Sequence, residues 1–171
     1  MKLIEAMKRV KLNKEKVADL HAKIGQNCAH LSHETPLYAQ NPAGTIEGWA
    51  RQCDDVVQEN IRLLVAIART NMATDVTIEL GERQVTKKIA EWVWRRREYA
   101  AMDQRTWAMM TDRNLREGTA QSSTGVPVEV KLVRYYDPAL RDKMLRIYME
   151  EPKRIDAAME VVNAVTDLIE A

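Results

Sequence analysis

The stretch IEGWARQCDDVVQENIRLLVAIART, residues 46–70, decides the fold. Its apolar or small side chains recur at Ile46, Trp49, Cys53, Val56, Leu63 and Ile67, in alternating steps of three and four once Asn60 is counted. A second stripe, Val57, Ile61, Leu64 and Ala68, lies beside the first. Two such stripes make a broad apolar face on one long helix, wide enough to touch two neighbouring helices.

Working outward, the same period recurs on both sides. Leu3, Met7, Val10, Lys14, Val17, His21, Ile24, Cys28 and Leu31 follow four-three spacing, a heptad seam with polar interruptions, and predict a first helix over about residues 2–31. Residues 32–45, with Pro36, Pro42 and Gly44, read as a connection, and Thr45 as the cap of the second helix. After Thr74 the period drops to two: Val76, Ile78 and Leu80 alternate with polar residues, Gly81 turns the chain, and a short hairpin over about 76–85 is expected. A third helix, about 87–113, follows a Thr86 cap with Ile89, Trp92, Val93, Ala100, Trp107 and Met110 on its apolar side. Residues 118–127 read as a flexible linker and 128–135 as a short extended strand. Asp137 before Pro138 starts the last helix, whose stripe includes Met144, Tyr148, Glu151, Ile155 and Val162, with a kink expected at Pro152.

The fold class expected is therefore mainly α: one domain over 1–171, an antiparallel four-long-helix bundle about 40 Å long with a small hairpin and an extended strand attached. The totals agree: 46% hydrophobic and 30% charged residues are an ordinary globular balance. A net charge of +1 supplies no global field toward nucleic acid or a membrane, so any basic patch must be local. Two distant cysteines suit a reducing compartment, no run approaches the roughly 18 apolar residues of a membrane span, and no secretory signal is expected.

Several peptides resemble one family. These are Met1-Lys2-Leu3, the connection from Asn27 to Pro42, the segment Ala68-Arg69-Thr70-Asn71 to Thr74, the Gly81 turn with Val85-Thr86, and residues 128–133 before the last helix. Together they resemble a group of uncharacterised bacterial helical proteins, some of them labelled septicolysin-like. The resemblance implies the same order of helices and hairpin and carries no catalytic residue across. The chain departs from that group at Trp92 to Arg97 and at the 118–127 linker.

Polar breaks in the stripes are where chemistry would sit. On an antiparallel register His21, Cys53, Asp103 and Glu151 fall at one level. Such a set could ligate a divalent metal, but the reading preferred is a buried polar layer that fixes register, with no metal and no cofactor. Cys28, His30 and His33 with Cys53 have zinc-ligand chemistry without a standard spacing. Arg69, Thr70 and Asn71 are expected to close the second helix in a structural role. Helix three interleaves Arg95, Arg96 and Arg97 with Trp92, Trp94 and Tyr99. That vocabulary serves protein interfaces first, together with Val128, Val130 and Leu132 on the extended strand, and nucleic acid as the alternative.

No phosphate loop, nucleophile elbow or metalloprotease helix is present, and the carboxylates Asp54, Asp55, Glu59, Glu150, Glu151 and Asp156 lack the layout of all-helical pyrophosphatases. The expectation is a non-catalytic, self-associating structural protein of the cytoplasm or of a virion assembled there, with itself and other protein subunits as partners and no membrane. A nucleic-acid-binding helix over 87–116 is the alternative; a small metal-binding bundle or enzyme is the second.

Overall fold

A computed structural model describes residues 1–38 and 40–170 and contains four helices and two small two-stranded hairpins. Ala39, in the expected connection, lies outside the described residues. The chain divides into two compact units: Met1–Asp75 with Lys88–Ala90 and Met159–Ala171, and Val76–Lys87 with Glu91–Ala158.

The first unit is built on α1 (Leu3–Asn27) and α2 (Pro42–Ala73), packed antiparallel, with Arg9 and Asn13 of α1 both reaching Glu59 in mid-α2. The seam of α1 is Leu3, Ala6, Val10, Asn13, Val17, Leu20, Ile24 and Asn27, all buried or half-buried. It shares every second position with the expected stripe but replaces Met7, Lys14, His21 and Cys28, which are exposed. Both frames have heptad spacing; the one adopted buries Leu20 in place of His21 and keeps Lys14 in water, where its charge costs nothing.

Asn41, not Thr45, caps α2: its Oδ1 accepts the Gly44 N–H at 2.9 Å, with Pro42 at the first helical position. Helix α2 also runs past the expected end at Asn71 and closes at Thr74, whose N–H bonds the Thr70 carbonyl. Thr70 is fully buried; its hydroxyl donates to the Ala66 carbonyl and accepts the Ile169 N–H at 2.9 Å. That C-terminal segment also bonds the start of the chain, Leu3 N–H to Thr166 O at 2.9 Å and Leu168 N–H to Met1 O at 2.8 Å, with Lys2 paired to Asp167.

In the second unit, β1 (Asp75–Leu80) and β2 (Arg83–Lys88) form the expected hairpin, each a little longer than read. Val76 and Ile78 are buried while Thr77 and Glu79 face water. Gly81 takes φ +64° in the two-residue loop, and a Cβ there would stand 2.8 Å from Ile147 Cδ1.

Helix α3 covers residues 89–108 in three contiguous pieces, α-helical Ile89–Trp94, a π turn Arg95–Tyr99 and α-helical Ala100–Ala108. It starts after β2, so Thr86 is a strand residue and not a cap.

The stretch read as a linker is structured: β3 (Gly118–Gln121) pairs antiparallel with β4 (Pro127–Val130), Gly118 opposite Val130 and Gln121 opposite Pro127. Thr-Ala-Gln carries no apolar alternation, so its strand character comes from the β4 partner. The strand expected over 128–135 ends at Val130, and Leu132 N–H turns to the Glu117 carboxylate at 3.1 Å.

Helix α4 (Pro138–Val165) begins at Asp137, whose Oδ1 accepts the Ala139 N–H at 2.8 Å, and holds Pro152 inside. No helix is long and apolar enough to cross a membrane among the described residues.

Candidate functional site

The π turn builds the most elaborate polar cluster. Residues eight apart on an α-helix are about 80° out of line. A π turn absorbs one extra residue, so Arg95 and Asp103 align as though seven apart, about 20° off. Arg95 Nη1 donates to Asp103 Oδ2 at 2.7 Å, and Nε and Nη2 fork onto the two Glu151 oxygens at 2.7 Å each. Its guanidinium also lies over the Tyr148 ring, 5.8 Å from the centroid. Glu151 is fully buried, and its hydrogen bonds are the main reason the Arg95 pKa is raised further. Burial, then the Asp103 charge, raise the Tyr148 hydroxyl.

Two members of the expected polar layer, Asp103 and Glu151, thus meet on Arg95. Of the other two, His21 is exposed on α1 and Cys53 is buried within the first unit. For Asp103 and Glu151 the complement is an arginine, whose forked guanidinium satisfies both carboxylates. No group of three or more His, Cys, Asp or Glu is arranged to hold a metal ion among the described residues, the Cys28, His30, His33 set included.

The interface candidates separate into two kinds. Trp92 is core: it is completely buried and its indole N–H donates to the Val76 carbonyl at 2.9 Å, which corrects its reading as an interface residue. Arg96 forks onto Asp156 at 2.7 and 2.9 Å, and Arg97 lies 5.8 Å over the exposed Trp94 ring. Trp94, Arg95 and Tyr99 line a shallow depression of about 350 Å³ with Lys87 and Glu91. Val128 and Val130 are 48% and 42% exposed on β4, while Leu132 is half-buried.

Of the Arg69, Thr70, Asn71 motif, Thr70 is the residue with a defined task, tying the C-terminal segment to α2. Arg69 is exposed and Asn71 half-buried within the last turns of the helix.

A second cluster escaped the sequence reading. Asp112 accepts both forks of Arg134, at 2.8 and 2.7 Å, and the Tyr136 hydroxyl at 2.8 Å. Arg134 above all, then Tyr136, push the Asp112 carboxyl down to about 2. Arg141 adds a bond to the Met110 carbonyl and stacks over Tyr136. Arg113 and Asn114 both adopt positive φ, 54° and 60°, in the turn beyond Asp112. The partners lie 22 and 24 residues on, beyond any local pattern.

These clusters decide what the basic helix can offer. Withdrawing Arg95 to bind a phosphate would strand the buried Glu151 carboxylate at a cost of about 3–5 kcal/mol. Arg96 has its own carboxylate. Arg97, Arg105, Arg113 and Arg116 are exposed arginines of the 87–116 region that form no ion pair among the described residues. Comparison of the chain with protein-family models, with curated proteins and with solved structures finds no match.

Proposed function

We propose that this chain is a non-catalytic structural protein that works by associating with itself and with other subunits of a larger assembly, of which a phage virion built in the cytoplasm is an example. One observation carries the reading. Among the described residues 13 apolar side chains are buried while 26 large apolar ones stay exposed, 16 of them on helices and strands. The β3–β4 hairpin makes the point: all eight of its strand residues are exposed, and an isolated two-stranded hairpin is marginal in water. Exposed strand edges of that kind invite a partner strand. The clusters on α3 support the same reading, since Arg95 and Arg96 spend their charge within the chain and are poorly placed for a phosphate backbone.

Size-exclusion chromatography with light scattering, read at 260 and 280 nm, tests this. The expected result is a discrete oligomer with a protein-like absorbance ratio. A monomer overturns self-association, and a peak rich in 260 nm absorbance puts nucleic-acid binding by residues 87–116 in its place.

A further inference from the structure

The outward face of α2 has no neighbour within its unit. Val57, Ile61, Leu64, Val65 and Met72 leave 40, 50, 47, 40 and 66% of their surfaces in water, with Ala68 exposed between them. At 100° per residue these six side chains fall within about 50° of one direction, opposite the face that meets α1. From Val57 to Met72 the strip is about 22 Å long, and no charge interrupts it. Val57, Ile61, Leu64 and Ala68 repeat in steps of four, three and four, the spacing of a coiled-coil seam.

We propose that this seam is the surface on which a second copy of the chain docks, α2 against α2, antiparallel about a two-fold axis between Ile61 and Leu64. The inference rests on the self-association proposed above and names its surface. Continuing the seam in both directions brings in Asp54 before Val57 and Asn71 after Ala68. In a parallel, in-register pair Asp54 meets Asp54, like charges on an otherwise apolar seam. In the antiparallel pair position n faces position 125 minus n. Ile61 then meets Leu64, Val57 meets Ala68, and Asp54 meets Asn71, an amide that can donate to its carboxylate. Arg69, exposed and without an ion pair among the described residues, comes within a turn of Asp54 and Asp55 at each end. Arg62 sits on the rim near the axis, where its long stem carries the charge to solvent. The seam is self-complementary in this one direction, as a two-fold interface requires.

Disulfide trapping of the full chain tests direction and surface together. V57C and A68C variants, each in a C28S background and distinguished by tag size, are mixed and oxidised. The mixed V57C–A68C product is expected to exceed either like-with-like product at least tenfold, and I61E to weaken association at least tenfold while circular dichroism is unchanged. Dominant like-with-like products overturn the antiparallel pairing. An oligomer of unchanged mass that neither cross-links nor responds to I61E overturns this surface while leaving self-association standing. A monomer at the outset overturns both.

Discussion

The two hairpins of the second unit pair alike and pack unlike. Each turns through a glycine of positive φ, Gly81 at +64° and Gly125 at +76°. In β1 the alternation of Val76 and Ile78 with Thr77 and Glu79 gives one apolar face, which is buried; the Trp92 indole bonds the strand and Ile147 meets its turn. In β3–β4 the ladder is just as regular from Gly118 to Gln121, yet every residue is exposed. Pairing is a local matter of turn and register. Burial depends on a second element arriving with the right face, and for β3–β4 none arrives among the described residues.

Three experiments break or sharpen that contrast. The largest expected effect is at Trp92, the side chain that anchors β1. Trp92→Ala should cost about 3–5 kcal/mol in urea denaturation, whereas Val130→Thr on β4 should stay within about 0.5 kcal/mol. A Val130→Thr cost near that of a core residue would mean that β4 is covered. Next come the two turn glycines. Both pay for a left-handed backbone on mutation to alanine, about 1 kcal/mol. A Cβ at Gly125 meets nothing within 4 Å, but one at Gly81 must push Ile147 aside, so Gly81→Ala should cost about 2–3 kcal/mol by the same measurement. Equal costs would show that the first hairpin rests loosely on α4. The smallest effect concerns Asp112, whose partners Arg134 and Tyr136 hold the chain just beyond β4. Its folded pKa of about 2 lies below the ordinary 3.8, so its contribution is present above about pH 4 and lost as pH falls through about 2. The Asp112 carboxyl carbon resonance should titrate with a midpoint near 2, and a midpoint near 3.8 would mean that the Arg134 fork is open in solution.

How much of this the sequence discloses depends on whether the deciding contacts are periodic. The stripe of α4 through Tyr148, Glu151 and Ile155 is legible because it keeps one phase from Met144 to Val162. Helix α1 offers two equally spaced frames, and periodicity alone does not choose between them, since Leu3, Val10, Val17 and Ile24 belong to both. The β3 strand carries no alternation to read. The Arg95 clamp had one trace, Trp92 and Ala100 eight apart and both on the apolar side of α3, a spacing a plain α-helix does not bring into line. The Asp112 cluster had none, because nothing but the folded chain brings residue 112 to residues 134 and 136.

The π turn also bears on which insertions and deletions α3 can survive. Such a turn holds an extra letter that the reading frame of the helix has already absorbed. Removing one residue between Arg95 and Tyr99 would restore a plain helix and leave the facing of everything after it almost unchanged. Asp103 would then stand seven residues from Arg95 on the same side of the helix, and Trp107 would keep its half-buried side. A single-codon deletion is absorbed inside this turn, whereas the same deletion in the plain helix Ala100–Ala108 turns every later residue of it by about 100°.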